Sequence, residues 1–480
     1  MKKMTAPQSG VKVRMYRQGL GDFFLLAFPS EGGKPFYLVI DCGVLIGGEV
    51  DRMRACVADL ADATGGRIDL LVATHQHWDH LSGFHQARDL FEQIEVGEVW
   101  VAWTEDPTNE LAGRLRERRR AHLNALRMAV QGFRAAGNDD RAGALESVLG
   151  FFGSPEEVLG ADGKKVSGIE AALQYVLGRG KPPRYRSPAE AVDLRGVPGV
   201  RVYVLGPPQD EKLLLRSDPS KKASEVYEKR LGLDEQTAFF AAVNAAAGTP
   251  ATDEELEIRN LSFPFDVTYR VAPEKAKRDP FFRKHYYKDV DARRIDDDWL
   301  GSAENLALQL DSDTNNTSLA LAIELSPGGK VLLFPGDAQV GNWLSWHGED
   351  MKWPRPDDPN RPITAADLLR RTVLYKVGHH ASHNATLREK GLELMESPEL
   401  VALIPVDEAM AHRPKGGNPE GWDMPFGPLR ERLEQKTQGR VLRADLGVPE
   451  KPAGVAKEEW DEFVGRCRAE ELYLEIVVPD

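Results

Sequence analysis

Cysteine is nearly absent. Three in 480 residues, Cys42, Cys56 and Cys467, are too few and too scattered for a disulfide framework or a thiolate zinc site. They suit a reducing compartment, and a cytoplasmic protein is expected. Long apolar runs are missing too. Those present, such as residues 70–74 and 331–334, have the length of a strand, so no segment is expected to span a membrane. The opening MKKMTAPQSGVKVRMYRQG carries charge but lacks the apolar stretch of a signal peptide. Positive charge is in deficit: 62 Lys and Arg stand against 75 Asp and Glu, for a formal charge of −13. Such a surface does not attract a polyanion as a whole, so a nucleic-acid partner needs a local basic patch or a metal. The pattern GxxxxGK[ST] does not occur, which removes support for ATP-driven chemistry. No reactive-Cys or Ser-His-Asp pattern stands out, so direct attack by water is the expected chemistry.

What is present is an alternation of strands and helices at both ends of the chain. Residues 11–17, 23–28 and 35–41 read as strands, the first two joined at Gln18-Gly19-Leu20-Gly21-Asp22, where glycines permit a tight turn. The run PFYLVID is apolar throughout, as in a sheet buried on both faces. Residues 50–64 have helical spacing through Met53, Cys56, Val57 and Leu60, and Gly65-Gly66 stops them. A strand at 68–74 runs directly into HQHWDH. Further strands are predicted at 200–206, 318–325, 330–334, 373–377, 400–406 and 472–478, with helices at 365–371 and 429–436. Residues 109–152 are helix-rich, and 209–311 are polar with little β character. The pattern predicts an α/β layered core with mainly helical or irregular insertions at 105–197 and 209–311. One domain is expected over 1–450, with 451–480 as an extension packed on it. The arginine run at 114–120 is expected to be a solvated face.

Residues with ligand chemistry recur at the carboxyl ends of apolar strands. His75-x-His77-x-Asp79-His80 puts four ligands into six positions, and imidazole with carboxylate suits Zn²⁺ or Mn²⁺. In a turn, alternate residues point to one side. His75 and His77 would then serve one metal, with Asp79 and His80 leaning toward a second.

THQHWDH resembles the HxHxDH signature of the metallo-β-lactamase-fold hydrolases. VLLFPGDAQ, holding Asp337, and LYKVGHHASH, holding His379 and His380, resemble two further elements of that superfamily, and GLGDFFLLAF and YLVIDCG its first strands. More narrowly, GDFFLL, VIDCG, THQHWDH, NNTSLAL, FPGDA, KVGHHAS and AHRP together resemble the metallohydrolase domain of ComEC-type competence proteins. The resemblance covers about 11–105, 198–208 and 312–435, and not the insertions. It implies an αββα sandwich in which one or two Zn²⁺ ions, or Mn²⁺, are held by His75, His77, Asp79, His80, Asp337 and His379. His380 is then the substrate-facing group or acid, although either histidine of the pair can serve as ligand. The superfamily's usual histidine before the Gly-Asp strand is missing. Asn315 and Asn316 stand there, and their amides suit orienting a water or a phosphate oxygen. Ser382, His383 and His412 complete the expected substrate side, and Asp22 and Asp41 are expected to orient ligands. Asp79 is the expected group to orient or deprotonate water. The activity implied is that of a phosphodiesterase or nuclease acting on DNA or another nucleotide. The alternatives are a lactonase, thioesterase or β-lactamase-like hydrolase, or a non-catalytic subunit docking on a protein partner through its insertions.

Overall fold

Residues 23–28 are buried without exception, and the strand alternation explains why. Successive side chains point to opposite faces of a sheet. In the computed structural model of the chain, Phe24, Leu26 and Phe28 enter one apolar core while Phe23, Leu25 and Ala27 enter another. The structure describes residues 3–135, 137, 139–153, 157–159, 165–180, 182–216, 271, 273–285, 287, 298–355, 358, 360–413 and 421–480.

The architecture is α/β with two mixed sheets. The first runs Cys467–Ala469, Tyr473–Val478, Val11–Tyr16, Phe23–Phe28, Phe36–Cys42, Arg67–Ala73, Glu95–Ala102, Arg184–Arg186. Its strands are parallel from Phe36–Cys42 onward and antiparallel before it. The second runs Val441–Arg443, Val401–Ile404, Thr372–Lys376, Val331–Phe334, Ala320–Glu324, Arg201–Gly206, Ala191–Asp193. One core draws Val13, Ile40 and Val72 from the first sheet together with Val204, Ile323, Phe334 and Leu403 from the second, so it lies between them. The other core packs the opposite face of the first sheet against the helices Val50–Thr64, Trp78–Gln86 and Gly168–Arg179. Helix Val50–Thr64 ends as its sequence predicts: Gly65 is left-handed at φ 66° and its N–H closes on Ala61 and Asp62.

Most strands fall within two residues of their predicted ends. The misses have physical reasons. Glu95–Ala102 opens with the polar alternation EVGE and carries its apolar run only in its second half. Helix Asp298–Asn315 lies in a segment whose polarity masked its period. A short helical piece that the sequence suggests at 235–247 lies outside the described residues. The C-terminal segment does more than pack on the core. Its strand Tyr473–Val478 pairs with Val11–Tyr16, and Glu475 receives the Arg14 guanidinium at 2.7 Å, which also pairs with Asp59.

The chain forms two compact units. The first holds Met1–Arg116, Gly150–Arg230 and Asp311–Asp480, and the second Glu117–Leu149 and Leu231–Leu310. The expected insertion boundaries are thus too wide. Residues 150–197 belong with the sheets, because Ile169, Ala172 and Val176 complete the helical core and Arg184–Arg186 adds an edge strand. The described part of the second unit is helical, with Leu126, Phe133 and Leu145 buried and Arg134 paired to Glu146 at 2.8 Å. Among the described residues, no helix is long and apolar enough to cross a membrane.

Because the last strand is integral to the sheet, Ile476→Ala should cost about 2–5 kcal/mol in urea unfolding, as for other buried Ile truncations. Ile476 is 2% exposed and sits opposite Val13. A loss below about 0.5 kcal/mol, the range of surface substitutions, would show that the segment only leans on the fold.

Candidate metal centre

The site is assembled where parallel strands end. Strand Arg67–Ala73 delivers Thr74 and His75, and His77 is still extended (φ −112°) when helix Trp78–Gln86 begins. Asp79 and His80 therefore project from a helical turn, not from the plain turn predicted. Strand Val331–Phe334 leads to Gly336, left-handed at φ 58°, where a Cβ would stand 2.9 Å from Ser318. Asp337 follows, its N–H donating to the Ser318 hydroxyl at 3.0 Å. Strand Thr372–Lys376 leads to His379, His380 and Ala381, three successive non-glycine residues with positive φ of 45°, 52° and 65°. Such backbone strain persists only where the surroundings impose it, and it concentrates at functional sites.

Asp79, His80, Asp337 and His380 each contribute one ligand atom to a buried group within which all lie within 4.8 Å of one another. His80 Nε2 is 3.0 Å from Asp337 Oδ2, and His380 Nε2 is 2.9 Å from Asp79 Oδ2. The expected assignment at the last loop is corrected: His380, not His379, joins the ligand group. The two rings diverge on the left-handed turn, their centroids 6.1 Å apart, and His379 Nδ1 faces the Gln339 amide at 3.5 Å. The backbone N–H of His379 still serves the centre by donating to Asp337 Oδ1 at 2.8 Å. Beside this group, His75 Nε2 and His77 Nδ1 face each other at 3.1 Å. Ligand atoms on metal–nitrogen arms of about 2.0–2.1 Å sit about 3.3 Å apart in a tetrahedron, so this pair has the spacing of a second cation position.

Partners on the outer ring nitrogens set the tautomers. The carbonyl of Pro405 can only accept, so His380 Nδ1 donates to it at 2.7 Å and Nε2 faces the cluster. His80 Nδ1 is 2.7 Å from Asp41 Oδ2, which turns its Nε2 inward as well. The Thr74 hydroxyl donates to Asp41 at 2.7 Å and receives His75 Nδ1 at 3.1 Å, leaving His75 Nε2 free to bind. Asp41 thus has the orienting role expected of it.

Electrostatics divide the histidines. Burial opposes a charge on His80, but Asp337, Asp22, Asp41 and Asp79 outweigh it and hold the imidazole well above its ordinary range. His380 is raised as well, its burial overcome by the hydrogen bond to Asp79 and the charge of Asp337. His75 and His77 go the other way. Burial, with neighbouring histidines adding to it, pushes His75 far down and His77 to about 3. Asp337 would be raised by burial, yet Lys376 and His80 bring it well below the carboxylate range. Burial raises Asp22 to about 6 despite Lys376. Lys376 is buried, pairs with Asp22 and reaches Asp337 Oδ1 at 3.0 Å. It is the lone charge in its strand TVLYK, a signal that sequence reading passed over.

The expected substrate residues separate. Asn316 is consumed by structure: its Oδ1 accepts from the N–H groups of Gln339 and Asn342 at 3.2 and 3.1 Å, and its Nδ2 donates to the Arg216 carbonyl. Its amide acts as a clasp between the loop and residues 339–342. Asn315 donates to Asp311 at 3.1 Å and keeps a buried Oδ1 without a hydrogen bond. Ser382 donates to Asn384 at 3.3 Å, the His383 ring lies 6.0 Å from Phe426, and His412 is exposed after the short helix Glu408–Ala411. None of these three touches the ligand group. Sequence reading missed Asp311, and also Phe151 and Phe152, whose rings lie 5.8 and 4.8 Å from His77. Trp422 stacks on Phe151 at 4.7 Å. Within the arginine run, Arg116 is spent on the carbonyls of Thr104 and Asp106.

The residues present fit a divalent cation. Asp79 Oδ1, within the four-ligand group, is buried without a hydrogen-bond partner, a condition native structures rarely tolerate unless an ion or water completes it. Two of the four ligands, His80 and His380, hold protons above the ordinary imidazole range and must release them to bind. Cation affinity should therefore rise with pH across and above the imidazole range. Calorimetry in buffers of different ionisation enthalpy should show protons released on binding, and a pH-independent affinity without proton release would refute this electrostatic picture. No family model matches the chain, and no curated protein matches it.

Proposed function

We propose that the chain is a metal-dependent hydrolase of the metallo-β-lactamase fold, acting on phosphodiester bonds of DNA or another nucleotide. The observation that carries this reading is the convergence of Asp79, His80, Asp337 and His380, with the His75–His77 pair alongside. The two sheets facing across a shared core, with the site at their strand ends, suit the αββα sandwich that the motifs imply. A divalent cation such as Zn²⁺ or Mn²⁺ supplies Lewis-acid polarisation of the bond under attack and makes water more acidic.

The chain's own groups supply the rest. Asp79 engages His380 through Oδ2 and keeps Oδ1 free of hydrogen bonds, so it can accept a proton from attacking water. Lys376 neutralises one oxygen of Asp337 and leaves Oδ2 for the centre. Half-buried Trp422, stacked on Phe151, which lies 6.2 Å from His379, offers a ring of the kind that holds a nucleobase. The same apolar wall against His77 favours a second reading, an ester or lactone hydrolase.

Linear and circular DNA, RNA, cyclic and linear dinucleotides and an ester control, assayed with Zn²⁺ and Mn²⁺, distinguish the two readings. Cleavage of a phosphodiester is the expected result. Turnover of the ester alone would select the second reading. His380→Ala should lose both bound cation and turnover, while His379→Ala keeps the cation. Asp79→Asn should lower turnover by about 10²–10⁴-fold or more, the usual worth of a positioned base. Full cation content and wild-type turnover in Asp79→Asn would remove its role.

A further inference from the structure

Three of the ring-bearing residues at the centre have their outer nitrogen held: His75 by Thr74, His80 by Asp41 and His380 by the Pro405 carbonyl. His77 is the exception. Its Nδ1 faces His75, so its outer nitrogen is Nε2, which is buried and has no hydrogen bond. The nearest acid to that nitrogen is Asp311, whose Oδ1 lies 3.8 Å away and is likewise buried without a hydrogen bond. The other oxygen of Asp311 is pinned by the Asn315 amide at 3.1 Å, one helical turn along. Two orphaned groups of complementary chemistry thus point at each other, just beyond hydrogen-bonding distance. Asp311 comes from the last turn of helix Asp298–Asn315, just ahead of the motif NNTSLAL and outside every motif element.

We propose that Asp311 is the positioning residue of His77: its carboxylate accepts the Nε2–H and so commits Nδ1 to the cation position shared with His75. Asn315 holds the carboxylate in place for this. The inference rests on the metal-centre reading above and adds to it a division of labour. The helix carrying Asp311 tunes the His75–His77 position, while the position of Asp79, His80, Asp337 and His380 is built from the first turn of helix Trp78–Gln86 and the loops after two strands. It also gives the asparagine pair a role: Asn315 steadies the acid and Asn316 ties down the loop.

The test compares cation binding in the full-length wild type, Asp311→Ala and Asp311→Asn, using Co²⁺ absorption and chelator competition with Zn²⁺. Loss of an outer partner typically weakens a metal site about 10–100-fold. Asp311→Ala should show that loss at one cation position and leave the other at wild-type affinity. Asp311→Asn retains an acceptor oxygen and should recover part of it. In the Zn²⁺-loaded wild type, imidazole ¹⁵N spectra should show His77 protonated at Nε2, with that proton signal shifting upfield in Asp311→Ala. Wild type that binds two cations, with Asp311→Ala matching it at both, overturns the role of Asp311 and leaves the metal reading intact. Equal weakening of both positions with no rescue by Asp311→Asn marks a structural role only and also overturns it. Wild type that binds no cation at all removes the metal reading itself, and the proposal with it.

Discussion

The centre depends on forcing carboxylates together out of water. Asp22, Asp41, Asp79, Asp311 and Asp337 are all buried. Two like charges 4 Å apart repel by about 4 kcal/mol at an effective dielectric near 20. Such a group survives only with counter-charge or with some acids held neutral. Lys376 spans Asp22 and Asp337, and His80 and His380 hold protons against their burial. Asp311 takes the other course while no cation offsets its neighbours: burial and the nearby charges of Asp79 and Asp337 push it well above the carboxylate range, and a cation at the centre would restore the carboxylate that accepts from His77. The same knot of charge that burdens the folded chain is what makes it receptive to a cation. Ligands that hold protons in place of a metal are ligands already oriented for one.

Placement of that knot follows from the sheets. The two sheets face each other across a shared core, so residues that leave strands of different sheets meet at one edge: His80 and Asp337, 257 positions apart, come within 3.0 Å. The apolar strands RIDLLVA, VLLF and TVLYK fix the heights at which the ligand loops leave the sheets. Lys376 then ties two of those loops together from below, through the Gly336 carbonyl as well as Asp337.

Legibility in the sequence followed locality. HQHWDH holds four ligand types in one stretch, and the apolar run before it marks a strand end, so the centre could be found without coordinates. Asp337 and the His379-His380 pair were visible for the same reason. Which of the two histidines turns inward was not, because it is decided by left-handed backbone angles at residues that are not glycine. Asn316 looked like a substrate ligand because its amide suits one, and only its backbone partners show that it is taken. Asp311 was hidden by its place, in a helix of a segment read as polar and irregular, just ahead of the motif NNTSLAL. The strands of the fold were largely readable from their apolar runs, whereas the short edge strands Arg184–Arg186 and Ala191–Asp193, half exposed and charged, carry no such pattern.

The pairing of Val11–Tyr16 with Tyr473–Val478 bears on how the chain reaches this state. Arg14 and Glu475 are 461 positions apart, so on the ribosome the second strand of that pair emerges long after the first. Until then Val11–Tyr16 has one neighbour and an open edge of unpaired backbone groups, and Val11, Val13 and Met15 lack the partners that bury them. Such an edge invites pairing with another chain. The first sheet therefore cannot close until residues 473–478 have emerged, and a nascent chain stalled before residue 473 leaves that edge open to aggregation and to capture by chaperones.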